Sequence, residues 1–122
     1  MARSYLDGTW QPADIAVSYS SLEHDGLGRY GDPLNPEGDL QSITKTACLL
    51  RSGGLFFLGM PVGVDAVIWN AHRIYGSSRL ALVFEGWHVV TFFGVANPSD
   101  TTGSQPGDRR FPNQPMFVLR KP

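Results

Sequence analysis

Apolar residues along the chain fall into blocks divided by long polar stretches. Asp14-Ile-Ala-Val-Ser-Tyr19 is a short run with a continuous apolar centre, which predicts a strand buried on both faces, as in a parallel sheet. Leu40, Ile43, Ala47 and Leu50 recur at helical spacing and lay one apolar stripe along residues 40–51. Asp39 stands where an N-cap belongs, Arg51 complements the helix dipole, and Gly53-Gly54 supplies a left-handed stop. Leu55-Phe-Phe-Leu-Gly-Met60 reads as a second strand, again apolar on both faces. Strand, helix, tight turn and strand make a crossover unit, so the two strands are expected to be parallel neighbours.

Beyond Pro61 the pattern becomes polar over residues 62–76, where Val67-Ile68-Trp69 is either a strand fragment or a buried plug. Ser77 or Ser78 then caps a short helix in which Leu80, Val83 and Phe84 share a face, ended by Gly86. Trp87–Phe93 is a third strand. Residues 94–114 are rich in Pro, Gly, Ser, Thr and Asp and read as a long loop, and Pro115–Leu119 is a fourth strand, antiparallel to the third. The predicted fold class is α/β, a partial Rossmann-like sheet of two parallel βαβ units followed by an antiparallel last strand, forming one domain over 1–122. Helix-to-strand connections are tight, whereas strands leave into long polar segments. Loops 19–38, 62–76 and 94–114 should therefore converge on the carboxyl rim of the sheet, where such sheets bind ligands.

Composition narrows the function classes. With 122 residues, 42% hydrophobic and 17% charged, the chain suits one ordinary globular domain. A net charge of −1 with scattered Lys and Arg argues against nucleic acid as a partner. The single cysteine, Cys48, lies in the helical stripe as a small core residue and cannot form an internal disulfide, which fits a reducing compartment. No apolar run has transmembrane length and the first residues lack a signal-peptide core, so no membrane association and a cytoplasmic location are expected.

The chemistry concentrates in residues 18–39, a loop too long and too rich in ionisable groups to be a plain connection. Gly26-Leu-Gly-Arg-Tyr-Gly31 matches the dinucleotide fingerprint by letter, but no helix follows where the pyrophosphate would need one. Glu23, His24, Asp25, Asp32 and His72 lack metal-ligand spacing, and no metal is expected. His24 is a candidate general base oriented by Glu23 or Asp32; the structural alternative is that it pins the loop. Ser18, Ser20 and Ser21 lack a nucleophile-elbow pattern and stand, with Arg29, Asn70, His72 and Arg73, as candidate contacts to a small-molecule ligand. His72 and Arg73 would meet an anionic ligand at the rim; alternatively, Arg73 pairs with Glu23 or Asp32 and locks two loops together.

Ser20-Ser-Leu-Glu-His-x-Gly-Leu-Gly-Arg-Tyr-Gly-Asp-Pro-Leu-Asn-Pro-Glu-Gly-Asp39, with Leu50-Arg-Ser-Gly-Gly-Leu-Phe-Phe-Leu-Gly-Met-Pro-Val-Gly63 and Asn70-Ala-His-Arg-Ile-Tyr-Gly76, resembles a domain-of-unknown-function family first catalogued in Caenorhabditis proteins. Related sequences occur among bacterial proteins similar to class I S-adenosylmethionine-dependent methyltransferases. The resemblance implies that Asp14–Tyr19 and Leu55–Met60 are the fourth and fifth strands of a seven-stranded sheet. Trp87–Phe93 and Pro115–Leu119 would be the sixth and seventh, the last antiparallel. It also implies that the glycine-rich cofactor loop and the first three strands are missing, since few residues precede Asp14. Ser18 to Ser21 would then lie beside the reaction centre.

The function expected on this basis is a methyltransferase-like domain, truncated or degenerate. Alone it would bind no cofactor, with S-adenosylmethionine held only if the missing half is supplied. The alternative is a non-catalytic binding or assembly module using the three rim loops; an enzyme built on His24, Asp32 and His72 with other chemistry ranks third. The edge at Ile15-Ala16-Val17 lacks a partner strand, which predicts a homodimer through strand 14–19.

Overall fold

The computed structural model of the chain describes residues 6–95 and 113–122. The described elements run β1 (Ala13–Tyr19), a 3-10 turn (Leu22–His24), α1 (Gly38–Leu49), β2 (Leu50–Gly59), β3 (Ala66–Ile68), β4 (His72–Ile74), α2 (Ser77–Phe84), β5 (His88–Phe93) and β6 (Met116–Arg120). The architecture is mixed α/β: a four-stranded sheet in the order β1-β2-β6-β5, with β3 and β4 forming a separate hairpin. β1 and β2 are parallel neighbours, as the crossover reading requires, and β5 and β6 are antiparallel.

The expected pair of parallel βαβ units is found in part: β2 and β5 point the same way on either side of α2 but are not neighbours. β6 enters between β2 and β5 and runs against both, so β2 and β5 never touch as strands and the sheet contains one parallel pair. The central place of β6 follows from its side chains. Cross-strand partners share a face, so Phe117 and Leu119 stand beside Leu58 and Phe56 on the side that meets the helices. Ile43 of α1 and Leu80 and Val83 of α2 close the core over that face.

Among the described residues the other face is largely open. Ile15, Val17 and Tyr19 pair with Leu55, Phe57 and Gly59 on it and remain 55%, 68% and 57% exposed. Burial of β1 on both faces is therefore not found among the described residues: the strand is apolar on both sides but covered on one.

Three local readings also change. The helical stripe ends at Leu49 and the chain passes directly into β2, so Gly53-Gly54 is not a helix stop. Ala13 pairs with Leu50 but Ile15 with Leu55, and this irregularity is turned by Gly53 at a φ of 76°. Gly53 N–H donates to the Lys121 carbonyl at 2.9 Å, which ties the kink to the end of β6. Helix α2 is capped neither by Ser77 nor by Ser78. Asp65 does this from the preceding loop, accepting the N–H groups of Gly76 (2.8 Å), Ser78 (3.1 Å) and Arg79 (3.1 Å). Cys48 is exposed rather than in the core.

Val67-Ile68 does form a strand, β3, paired with a β4 that sequence pattern does not reveal. Loop 94–114 falls largely outside the described residues. At its far end the Asn113 carbonyl accepts the Val62 N–H at 2.8 Å, so that end returns to loop 62–76.

Candidate functional site

At the carboxyl end of β1 the chain turns sharply. Ser20 adopts a left-handed conformation, with a φ of 48°, and its N–H donates to the Gly59 carbonyl at 3.0 Å. The turn aims the Ser20 hydroxyl at Glu23, to whose Oε1 it donates at 2.9 Å. Glu23 is 2% exposed although it carries a carboxylate in a loop.

His24, next in the 3-10 turn, reaches the hairpin: its Nδ1 lies 2.5 Å from the Ala71 carbonyl. A carbonyl only accepts, so Nδ1 carries the proton and Nε2 faces Glu23 Oε1 at 3.7 Å. The His72 ring stands edge-on to His24 with centroids 6.1 Å apart, and Tyr30 closes the other side at 5.7 Å. Arg29 lies 5.8 Å from the centre of the Tyr30 ring. Loops 19–38 and 62–76 thus converge on one cluster.

Two features of this cluster bear on chemistry. Among the described residues, Glu23 Oε2 and His72 Nε2 are buried without a hydrogen-bond partner, as is Ser18 Oγ on β1. Buried polar atoms are almost always paired, so these three stand out as unsatisfied. Burial, and next the neighbouring His24, hold the His72 imidazole below its ordinary value; Glu23 opposes the shift and Arg29 adds to it. His72 is therefore neutral near pH 7 and able to accept a proton.

A second polar centre lies behind the first. Asp39 is fully buried and is not an N-cap, since Glu37 holds that position of α1. Its Oδ1 and Oδ2 take Arg79 Nη2 and Nε at 2.5 Å and 3.2 Å, and Oδ2 also accepts the Tyr75 hydroxyl at 2.8 Å. Burial and the Asp39 carboxylate push the Tyr75 phenol far above its usual range, so it remains a donor.

Arg73, 3% exposed, stands 3.6 Å from Asp39 and donates to the carbonyls of Asp25 (2.5 Å), Asn35 (3.2 Å) and Pro36 (3.2 Å). It does lock the two loops together, but through Asp39 and main-chain oxygens rather than through the carboxylates of Glu23 or Asp32. Sequence reasoning missed Asp39, Tyr75 and Arg79. The only available signal was an Asp beside a Gly at a helix start, which reads equally as a cap.

Of the remaining candidates, Arg29 lies at the margin of the cluster and the others make different contacts. Asp32 accepts the Gly26 N–H at 2.6 Å and the more distant Tyr30 N–H, which holds its carboxyl below the usual range. Its hydrogen bonds run to the loop backbone and not to His24. Ser21, Arg29 and Asn70 are exposed, and Asn70 forms the hairpin turn with a φ of 52°.

The glycine fingerprint is folded upon itself. The Gly26 carbonyl takes the Asn35 N–H at 2.8 Å, and a Cβ on Gly26 would sit 2.1 Å from the Asn35 oxygen. With the Gly26 N–H also occupied by Asp32, the motif offers no open amide cradle to a nucleotide cofactor. Among those residues no group of three or more His, Cys, Asp or Glu is placed to hold a metal ion, and no helix is long and apolar enough to cross a membrane.

No curated protein and no solved structure matches the chain. The profile of one family matches residues 4–121, nearly the whole sequence. The chain belongs to that family, described as Caenorhabditis protein of unknown function, DUF268.

Proposed function

We propose that the chain is a methyltransferase-like domain contributing the substrate side of a site, with Glu23, His24 and His72 as its contact to a small hydroxyl- or amine-bearing molecule. The observation that carries this reading is the pair of orphaned buried atoms, Glu23 Oε2 and His72 Nε2, at the rim where β1 and β2 end. A carboxylate and a neutral imidazole are the groups that accept a proton from a nucleophile as it reacts. The parallel β1–β2 crossover and the antiparallel last strand support the methyltransferase likeness.

The chain alone does not hold S-adenosylmethionine. That cofactor, which supplies an electrophilic methyl group, requires a glycine-rich half from another segment. Calorimetric titration of S-adenosylmethionine into the folded chain should give no saturable heat; micromolar binding would contradict this part of the reading. A screen of small alcohols and amines by NMR should find ligands that shift the His24 and His72 ring signals. His72→Asn should abolish that binding with little change in melting temperature. Hits that leave both rings unmoved would refute the site.

A second reading, assembly through the β1 edge, is favoured by the exposed Ile15, Val17 and Tyr19. It predicts a homodimer by sedimentation velocity that Val17→Lys converts to monomer. A wild-type chain that stays monomeric at all concentrations would exclude it.

A further inference from the structure

Residues 26–36 and the β3–β4 hairpin also enclose a cleft of about 590 Å³, well within the range of small-molecule sites. Its walls are Leu27 and Leu34 from the loop and Val67, Trp69 and Ile74 from the hairpin. Leu34, Val67 and Trp69 are 64%, 59% and 73% exposed, an unusual concentration of apolar surface on two facing lips. The walls are pre-formed. Arg73, on β4, binds the carbonyls of Asn35 and Pro36 in the opposite wall, so a ligand entering here need not order them.

Charge at the base of the cleft identifies the occupant. Arg73 and Arg79 both line it, and both face the buried carboxylate of Asp39. Asp65 also lines it, but its oxygens accept three N–H groups at the start of α2, where the helix dipole offsets its charge. Glu37, the other acidic group near Arg79, is exposed and screened by water. Arg73 is 3% exposed, whereas Arg79, one quarter exposed, is the cation a ligand can approach.

We propose that this cleft binds an amphiphilic organic anion, with an aromatic or aliphatic body between Leu34, Val67 and Trp69 and a single acidic group directed at Arg79. The assignment does not depend on the methyltransferase reading, because neither cofactor nor histidine cluster takes part.

Two fluorescent probes with the same ring system test it: anilinonaphthalene sulfonate, an anion, and phenylnaphthylamine, which is uncharged. The sulfonate should bind saturably, one per chain, and at least about tenfold more tightly than the amine, the change expected from one added charge contact. Val67→Glu, at an exposed position where folding is not at risk, and Trp69→Ala should each weaken sulfonate binding about tenfold or more. Phe93→Glu, on the open face of the sheet and 52% exposed, should leave it unchanged. Equal affinity for the two probes would overturn the proposal. So would binding that survives Val67→Glu, or binding that is lost in Phe93→Glu, which would place the probe on the sheet face instead. Failure of S-adenosylmethionine or alcohols to bind would leave these results as they are.

Discussion

His24 and His72 meet edge to face, their ring planes at 88° and their centres 6.1 Å apart, although they come from loops that leave different strands. The contact exists because β1 and β2 are parallel, so that both loops leave from the same end of the sheet. His24 secures it by donating to the Ala71 carbonyl, one residue before His72.

Burial of His72, and next this contact, make stability sensitive to mild acid. His72 is held below its ordinary value of 6.5, so just under that value the unfolded chain binds more protons than the folded one. The stability contributed is complete above about 6.5 and is lost as pH falls through the window down to the lowered folded value. Urea midpoints measured from about pH 7.5 to 5 should decline, and His72→Asn should flatten the decline.

Asp39→Asn should be severely destabilising. It leaves the Arg73 and Arg79 guanidinium groups facing a neutral amide, one of them buried, at a cost of about 3–5 kcal/mol. Tyr75→Phe removes one hydrogen bond while Arg79 still satisfies the carboxylate, so about 1–2 kcal/mol is expected. Urea denaturation of the two variants checks the order.

Arg73→Lys should not be conservative. A lysine ammonium cannot span Asp25, Asn35 and Pro36 while also facing Asp39, and the loss should be about 2–4 kcal/mol. Amide exchange should accelerate in residues 22–36 first, since these carbonyls anchor the loop.

Asp65→Ala removes the acceptor for three α2 N–H groups and should cost about 1–2 kcal/mol. Ser77→Ala should be nearly silent, because no serine hydroxyl caps that helix. Thermal melts of the two variants, side by side, test this assignment.

The β1–α1–β2 unit was legible because two unalternating apolar runs flank a helical stripe, a pattern with few other solutions. The position of β6 was not, since strand order across a sheet leaves no mark on strand sequence. Gly53-Gly54 misled because a helix stop and a kink within a strand demand the same positive φ. β4 is three residues long, too short to show a period. At the site, the convergence of His24 with His72 followed from the rim argument alone. Asp39 did not, because a capping aspartate and a buried ion-pair acceptor look identical until Tyr75 and Arg79 are placed beside it.

The central claim is that two rim loops form a single electrostatically coupled cluster. Proton NMR titration of the His72 ring, in wild type and in His24→Ala, tests it most directly. The account predicts that His72 titrates below its ordinary value in wild type and moves upward once His24 is removed. A His72 that titrates normally, or is indifferent to His24→Ala, would contradict it.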